Sequence, residues 1–262
     1  MKVALSGAGG QLGTVLRKEL LRQGLDLRSG GHRPLTPLVE NEDLCQGDLQ
    51  DAQAVDQLLK GVDVLIHLAG TSTEQALDKI IHNNLLGLVA VYEGARRNGV
   101  RRIVFASSNH AIGMHSVNTK LSIDCDLRPD GFYGLSKMWG EGLARMYWDK
   151  HGIESVCIRI GSCLPEPTEF RQLSTWLGHQ DFFQLIDRCI TTPEVGFTIV
   201  WGVSANTRSY WDISDTGPLG YKPTQNAEDY APKILAQPNP LDPIAQKYQG
   251  GAFVTLDYSR PE

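Results

Sequence analysis

Residues 1–13, MKVALSGAGGQLG, run from a short apolar segment directly into a cluster of glycines, and an amphipathic stretch follows. The order is therefore strand, glycine turn, helix. Gly7 permits the tight turn, Gly10 lets the backbone approach a pyrophosphate, and Gly13 lets the helix pack on the strand. The start of such a helix offers free N–H groups and a positive dipole end to phosphates. The alternative is a glycine-rich turn that binds nothing, but the flanking strand and helix favour a dinucleotide-binding unit.

Further along the chain, apolar strand-like segments alternate with segments of helical periodicity. This alternation predicts an α/β fold with a doubly wound parallel sheet of the Rossmann type, whose strands are buried on both faces. Such sheets bind ligands beyond the carboxyl ends of their strands, where Gly7, Gly70, Ser108 and Gly161 all fall. The predicted strands are 25–28, 43–46, 62–70, 102–108 and 155–160, and the predicted helices are 52–59, 80–98 and 133–150.

The pattern loosens after residue 164, although aromatic side chains recur and a helix over 181–190 is still expected. A chain of 262 residues with 41% hydrophobic side chains can bury one large core. We therefore predict a single domain over residues 1–262. Within it, approximately residues 164–262 are expected to contribute a small lobe that closes over the sheet edge and supplies the substrate pocket.

Composition excludes several classes of function. The net charge of −5 and the pI of about 5.8 provide no basic surface for nucleic acid. No apolar run is long enough to cross a bilayer, and no signal peptide precedes the first strand. The five cysteines are odd in number and lack the spacing of metal ligands, so no metal is expected. They indicate reduced thiols in a cytoplasmic protein, and Cys163 is interpreted as a packing residue.

Tyr133 and Lys137 stand four residues apart in GFYGLSKMWGEGLARMY, and Ser108 lies upstream in VFASSNH. On a helix, residues i and i+4 share a face, so the phenol and the ammonium can enter one pocket. A tyrosine with its ordinary pKa of about 10 is a poor base at neutral pH, and a neighbouring cation favours the phenolate. The Tyr-x-x-x-Lys spacing alone arises often by chance. Downstream of a dinucleotide turn, it predicts a hydride-transfer site in which Ser108 holds the substrate oxygen.

Together these motifs resemble the extended short-chain dehydrogenase/reductase superfamily over the whole domain. The resemblance rests on GAGGQLG, HLAG, NLLG at 84–87, Ser108 and Tyr133-x-x-x-Lys137. Within that superfamily, longer strings running almost end to end are similar to uronate dehydrogenases. This resemblance implies oxidation of the C1 hydroxyl of galacturonate or glucuronate to the aldarolactone, with hydride transfer to a nicotinamide cofactor. The strings are FASSNHAIG, RPDGFYGLSK, ARMYWDKHGIE, RIGSCLPEP, FRQLSTW, WGVSAN and YQGGAF.

The resemblance also implies roles for individual residues. Tyr133 would be the catalytic base, Lys137 would lower its pKa and hold the nicotinamide ribose, and Ser108 would hydrogen-bond the reacting hydroxyl. Arg171 alone would be interpreted as a surface arginine. The resemblance implies that Arg171 binds the substrate carboxylate, and a guanidinium can do so through two parallel hydrogen bonds. The other residues expected around the sugar are Ser72, Asn109, His110 and Ser162, whereas His67 is interpreted as structural. The residues expected at the cofactor are Gly7, Gly10, Gln11, Leu12, Gly13, Gly31, His32, Arg33, Asp48, Leu49, Leu68, Ala69, Gly70, Tyr133, Lys137 and Ile160.

The end of the second predicted strand departs from the family pattern. NAD-specific members carry an acidic residue there, which binds the hydroxyls of the adenosine ribose. Here residues 28–33 are RSGGHR, and Asp26 comes too early in the strand. A glycine followed by basic residues leaves room for a 2′-phosphate and offers it Arg33, His32 or Arg28. The resemblance implies NAD, whereas these residues permit or favour NADP.

Two other classes of function compete with a uronate dehydrogenase. A nucleotide-sugar epimerase or reductase would need a larger C-terminal lobe than the segment after Lys137 provides. A non-catalytic dinucleotide sensor would have little use for Ser108, Tyr133 and Lys137 together. The expected partner is a small sugar acid, with no nucleic acid and no membrane. The preference between galacturonate and glucuronate stays open, as does a homo-oligomer.

Overall fold

The structure is a computed structural model, and it describes residues 1–40, 42–240 and 242–260. Strands and helices alternate along the chain as the sequence predicts. The strands are β1 (Lys2–Ser6), β2 (Asp26–Gly31), β3 (Asp43–Gln46), β4 (Val64–His67), β5 (Arg102–Ser108), β6 (Glu154–Ile160), β7 (Ser162–Cys163), β8 (Trp176–Leu177) and β9 (Phe197–Gly202). The helices are α1 (Gln11–Arg22), α2 (Ala52–Leu59), α3 (Leu77–Ile80), α4 (Gly87–Asn98), α5 (Phe132–His151), α6 (Gln172–Thr175), α7 (His179–Thr191), α8 (Ala231–Leu235) and α9 (Pro243–Lys247), with a π-helix at Ile81–Leu86.

Over the described part of the chain, seven strands form one sheet in the order β3-β2-β1-β4-β5-β6-β9, and every neighbouring pair is parallel. The predicted doubly wound parallel sheet is thereby confirmed. Ser6, at the end of β1, is paired with Gly30 on one side and with His67 on the other. The order of the strands reverses at β1, and a crevice opens at the carboxyl edge there.

The two faces of the sheet are covered by different helices. Successive strand residues point to opposite faces, so Val3 and Leu5 pack in one core cluster and Ala4 packs in the other. Leu16 and Leu20, four residues apart on α1, belong to the first cluster and are buried. Burial on both faces explains why the strands are almost continuously apolar.

The stretch that the sequence assigns to a small lobe also contributes to the main sheet. Phe197–Gly202 forms β9, which pairs in parallel with β6 at the edge of the sheet. The pair β7–β8 forms a separate two-stranded sheet directly after β6. Beyond β9, the described elements are short helices and 3-10 turns. Hydrogen bonds of Gln249 with Arg171, Ser116 and Thr119 hold this irregular part against the carboxyl edge of the sheet.

Helix α5 is held on the sheet by a buried ion pair. Arg159, in β6, donates from Nε and Nη2 to the two carboxylate oxygens of Glu141 at 3.0 and 2.9 Å. Ser107, in β5, donates to the same carboxylate at 2.7 Å. Both charged side chains are only 3% exposed. A buried carboxylate so fully hydrogen-bonded fixes the rotation of α5 about its axis and hence the position of its first two turns.

Within the described ranges, no helix is both long enough and apolar enough to cross a membrane. In the same part of the chain, no group of three or more His, Cys, Asp or Glu residues is placed to hold a metal ion. The five cysteines all lie inside the described ranges, and each is a free thiol.

Candidate active site

A cavity of about 960 Å³ lies at the carboxyl edge, where β1, β2, β3 and β4 end. At two positions in the floor of this cavity, the backbone leaves no space for a side chain, so the residue must be glycine. A Cβ atom on Gly7 would lie 2.7 Å from the Ala69 nitrogen, and one on Gly13 would lie 2.0 Å from the Gly7 carbonyl oxygen. Gly7 also has a φ of +75°, which side chains rarely adopt. The expected cofactor residues that line the cavity are Gly7, Gly10, Gly31, His32, Arg33, Asp48, Leu49, Leu68, Ala69 and Gly70.

The N-terminus of α1 completes a phosphate cradle. Its cap residue, Gly10, lines the cavity and has no side chain that could hydrogen-bond to the first turn of the helix. The first-turn N–H groups are therefore available to an anion. Gln11, Leu12 and Gly13 form this first turn, and Ile160 ends β6 along the same edge. A dinucleotide fits these residues, since the close backbone approach and the free N–H groups suit a pyrophosphate.

Three expected catalytic side chains meet beside this cavity. Ser108 is the last residue of β5, and its Oγ accepts from the His110 nitrogen at 3.2 Å. Tyr133 and Lys137 occupy the first two turns of α5, and all three residues are buried. Lys137 Nζ donates to the Ala106 carbonyl oxygen at 2.7 Å and lies 5.4 Å from the centre of the Tyr133 ring. The structure thus brings the phenol, the ammonium and the serine hydroxyl into one buried group.

Burial dominates the proton affinities of this group. It raises the pKa of Tyr133 to about 12, against an opposing contribution from the Ser108 side chain, and Asp130 adds to the increase. Burial also lowers the pKa of Lys137 to about 8. The lower Tyr133 pKa that the sequence analysis expects from Lys137 is thus not a property of the protein alone. The phenol needs a further positive charge beside it to become an effective base.

A polar network that the sequence analysis did not identify positions Tyr133. Asn84, in the π-helix, accepts from the Thr71 nitrogen at 2.7 Å and donates to the Ser136 hydroxyl at 3.0 Å. Both carboxylate oxygens of Glu74 accept backbone N–H bonds from the first turn of α5, including that of Tyr133 at 2.9 Å. The loop after β4 therefore caps α5 and fixes the phenol. The family motif NLLG contains Asn84, but its partners are distant in the sequence.

Arg171 lies at the other end of the site. Its Nε donates to the Gln249 carbonyl oxygen at 2.7 Å, and its Nη1 lies 3.5 Å from the Ser162 hydroxyl. With the Asn109 amide oriented so that its nitrogen donates to the Ile160 carbonyl, the Asn109 oxygen accepts from Arg171 Nη2 at 2.6 Å. Burial lowers the pKa of Arg171. Among the described residues, the hydrogen-bond partners of this half-buried guanidinium are all neutral oxygens. Glu169 and Asp130 oppose the effect of burial on its pKa, but neither forms an ion pair with it among the described residues.

The C-terminal segment 248–255 encloses this guanidinium. Gly251 has a φ of +64°, and a Cβ atom there would lie 2.4 Å from the Arg171 side chain, so this position requires glycine. Gln249 is fully buried and accepts from the Trp211 indole at 2.9 Å. Its amide nitrogen donates to two backbone carbonyls of the loop after the site, at Ser116 and Thr119. The string YQGGAF contributes to the family resemblance, but these positioning roles depend on partners that are distant in the sequence.

His110 and Asp130 form a buried pair next to Tyr133. His110 Nδ1 and Asp130 Oδ2 are 2.7 Å apart, and the imidazole stacks on Phe253 with ring centres 3.9 Å apart. Burial lowers the pKa of His110 despite the opposing effect of Asp130. A neutral ring that donates Nδ1–H to the carboxylate keeps Nε2 as an acceptor. Within the described residues, the second oxygen of Asp130 has no hydrogen-bond partner.

Two other residues singled out from the sequence lie outside this cluster. Ser72 is exposed in the loop after β4. His67 Nδ1 and Ser6 Oγ are 2.8 Å apart, and both residues are buried. Burial, with a smaller contribution from Lys137, lowers the pKa of His67 to about 3. His67 is thus a neutral, hydrogen-bonded side chain, as interpreted from the sequence.

A dinucleotide cradle next to a buried Ser-Tyr-Lys group defines a Rossmann-type oxidoreductase. Residues 3–215 match the model of the NAD dependent epimerase/dehydratase family. Uronate dehydrogenase of Agrobacterium fabrum is 46% identical over 97% of this chain and 96% of its own length. The chain therefore belongs to the NAD dependent epimerase/dehydratase family and, within it, to the uronate dehydrogenase family.

Solved structures agree with this assignment. The crystal structure of uronate dehydrogenase from Agrobacterium tumefaciens has a TM-score of 0.92 and 46% identity, covering 97% of this chain and 96% of the other. A mutant of that enzyme complexed with NAD also has a TM-score of 0.92, with 45% identity and the same coverage. The fold described above is therefore shared over nearly the whole chain.

Proposed function

We propose that the protein oxidises the C1 hydroxyl of a hexuronate, galacturonate or glucuronate, to the aldarolactone with hydride transfer to NAD or NADP. The observation that carries this proposal is the half-buried Arg171 guanidinium, which has no carboxylate within ion-pair distance among the described residues. A sugar acid would supply the missing negative charge, whereas a neutral sugar would leave a buried charge unpaired. The names of the relatives support the same substrate class. They do not favour the alternative of a nucleotide-sugar enzyme.

The proposed mechanism uses Tyr133 as the proton acceptor. Ser108 hydrogen-bonds the C1 oxygen and holds it beside the phenol. The proton of that hydroxyl passes to the Tyr133 phenolate, the C1–H bond breaks, and the C1–O bond becomes the lactone carbonyl. An oxidised nicotinamide dinucleotide, held by the Gly7–Gly13 turn and the start of α1, would supply the hydride acceptor. Lys137, held by the Ala106 carbonyl, would stabilise the phenolate together with the positive charge of a bound oxidised nicotinamide, which is the further charge that the phenol needs.

The neighbouring residues would orient the sugar acid. Arg171 would bind the carboxylate, helped by the Ser162 and Asn109 side chains that already contact the guanidinium. His110, with Nε2 left as an acceptor, would receive a hydrogen bond from a ring hydroxyl. Arg171 and the segment 248–255 that encloses it lie in residues 164–262, which supports our proposal that these residues form the substrate lobe. The free cysteines support a cytoplasmic location.

Adding galacturonate or glucuronate to the protein with oxidised cofactor should produce reduced nicotinamide, measured by its absorbance. Galactose and glucose are the matched controls because they differ from the uronates only in having a hydroxymethyl group in place of the carboxylate. We expect kcat/KM to favour the uronates by about 10²-fold, the scale of one buried charge pair. Nuclear magnetic resonance of the product should show a lactone. Equal use of the neutral sugars would overturn the proposal.

Asp130→Asn is expected to lower kcat/KM for uronates by about tenfold, the equivalent of one charge-assisted hydrogen bond. The amide can donate to His110 Nδ1 and so favour the other tautomer, in which Nε2 carries the proton. Nitrogen chemical shifts of His110 would report that change directly. Asp149→Asn, at the exposed end of α5, is the matched control. An unchanged tautomer together with unchanged kinetics would remove Asp130 from a positioning role.

A further inference from the structure

The loop that follows β2 forms the rim of the dinucleotide cavity. Ser6 is paired with Gly30, and the nitrogen of Gly47 donates to the Gly31 carbonyl oxygen at 3.1 Å. Gly31 therefore lies beside the phosphate-binding turn, where the adenosine ribose of a bound dinucleotide is expected. A Cβ atom on Gly31 would lie 3.1 Å from the Arg33 carbonyl oxygen, because the chain turns back closely here. His32 and Arg33 continue the lining of the cavity.

The charge of this rim is positive. Among the described residues that line the cavity, Asp48 is the one carboxylate, whereas Arg17, Arg33 and Lys79 are basic. Arg17 does not contribute a free charge, because both oxygens of Glu42 accept hydrogen bonds from it at 2.6 Å. The net surplus at the end of β2 therefore comes from Arg33.

The carboxylate of Glu42, which contacts Ser29 in β2, is already occupied. The Glu42 side chain has no exposed surface, and besides Arg17 it accepts from the Ser29 hydroxyl at 2.9 Å and from the Leu38 nitrogen at 2.8 Å. Burial raises its pKa, but these hydrogen bonds and the Arg17 charge lower it overall. All its acceptor positions face protein donors. Glu42 cannot take the part of the acidic residue that binds ribose hydroxyls in NAD-specific proteins.

The structure also shows which of the basic residues suggested by the sequence are available to bind a ligand. Arg28 donates to Asp43 at 2.9 Å and to the carbonyls that end α2, so it is not available to the cofactor. In the described part of the chain, the side chains of His32 and Arg33 make no hydrogen bond or ion pair, and both residues are exposed. The segment that carries them is anchored by Arg17, which donates to the Thr36 carbonyl at 2.8 Å.

We propose that Arg33 and His32 form a binding site for the 2′-phosphate of the adenosine ribose, so that the protein prefers the 2′-phosphorylated dinucleotide. A 2′-phosphate carries about two negative charges at neutral pH. The planar guanidinium of Arg33 can bind it through two hydrogen bonds, and the exposed His32 side chain lies next to it on the same rim. This inference rests on the proposed function only in that the cavity takes a nicotinamide dinucleotide.

Equilibrium titration calorimetry with two nucleotides tests the site without any catalytic turnover. Adenosine 2′,5′-bisphosphate and 5′-AMP differ only in the 2′-phosphate. The unmodified protein should bind the bisphosphate at least about tenfold more tightly, the scale of a hydrogen-bonded charge pair. This advantage should decrease as salt is added, because the rim is exposed.

Two substitutions and one control variant test the role of the rim directly. Arg33→Gln should reduce the advantage of the bisphosphate to within about twofold and leave 5′-AMP binding unchanged. Arg33→Asp should reverse the preference, because the new carboxylate repels the 2′-phosphate. Arg22→Gln removes the same charge from the exposed end of α1 and should change neither affinity.

Equal affinities of the unmodified protein for the two nucleotides would overturn the proposal. So would an Arg33→Gln variant that weakens both nucleotides equally, since that pattern indicates a general effect on the cavity. The titration contains no sugar acid. Its outcome is therefore independent of whether uronates are oxidised, and the two proposals can fail separately.

Discussion

Tyr133→Phe is expected to lower kcat for uronate oxidation by about 10²- to 10⁴-fold, the range contributed by a positioned proton acceptor. The phenylalanine ring fills the same space but has no oxygen to receive the C1 proton. Steady-state rates with saturating cofactor would measure the loss. Calorimetric binding of the dinucleotide should be unchanged within about twofold, since the cavity floor is built from backbone and glycine.

Tyr147→Phe provides a matched control on the same helix. Tyr147 is buried and donates its hydroxyl hydrogen bond to Glu93, away from the proposed substrate. It should retain near-normal kcat, whereas a comparable loss would show that any tyrosine deletion in α5 disturbs the enzyme. Near-normal turnover in the Tyr133→Phe variant would disprove the catalytic assignment.

Arg171→Gln is expected to lower kcat/KM for galacturonate by about 10²-fold or more, because the substrate carboxylate would enter a buried site without its counterion. The effect should fall mainly on KM if the guanidinium acts in binding. For galactose, which lacks the carboxylate, kcat/KM should be unchanged or higher, because the neutral sugar would no longer leave a charge unpaired. The two sugars compared in one assay separate loss of recognition from loss of fold.

Two further variants complete this experiment. Arg171→Lys keeps the charge but not the planar fork, so it should recover only part of the lost activity. Arg208→Gln breaks an exposed pair with Glu228 in the same part of the chain and should be nearly neutral. A parallel loss for galactose and galacturonate in Arg171→Gln would indicate structural damage and contradict the proposed role.

The regular parts of the fold could be predicted from the sequence because they depend on local patterns. The apolar strand of residues 2–6 and the glycine turn after it predict the first unit, and the structure confirms the sheet. One boundary differs from the prediction: β2 extends over Asp26–Gly31, beyond the predicted strand 25–28. Apolar periodicity also could not show that the predicted helix 80–98 contains a π-helix, which places Asn84 against Thr71 and Ser136.

The hydrogen bonds and pKa values of the site could not be predicted from the sequence. The Tyr-x-x-x-Lys spacing correctly puts both residues on one helix face, but it does not show that Lys137 bonds to Ala106. Nor does it show that burial raises the pKa of Tyr133 to about 12. Desolvation depends on everything packed around the phenol, including segments far away in the chain.

The sequence by itself determined the order of strands and helices, the glycine turn that suits a pyrophosphate, and the helix face shared by Tyr133 and Lys137. These features depend on neighbours within a few residues, so periodicity and backbone geometry reveal them. Only the tertiary structure decided which charges remain free. Glu42 neutralises Arg17, Asp43 engages Arg28, and Arg171 is held by neutral oxygens within the described residues. A charge is available to a ligand only when no folded neighbour satisfies it, and those neighbours are brought together by folding.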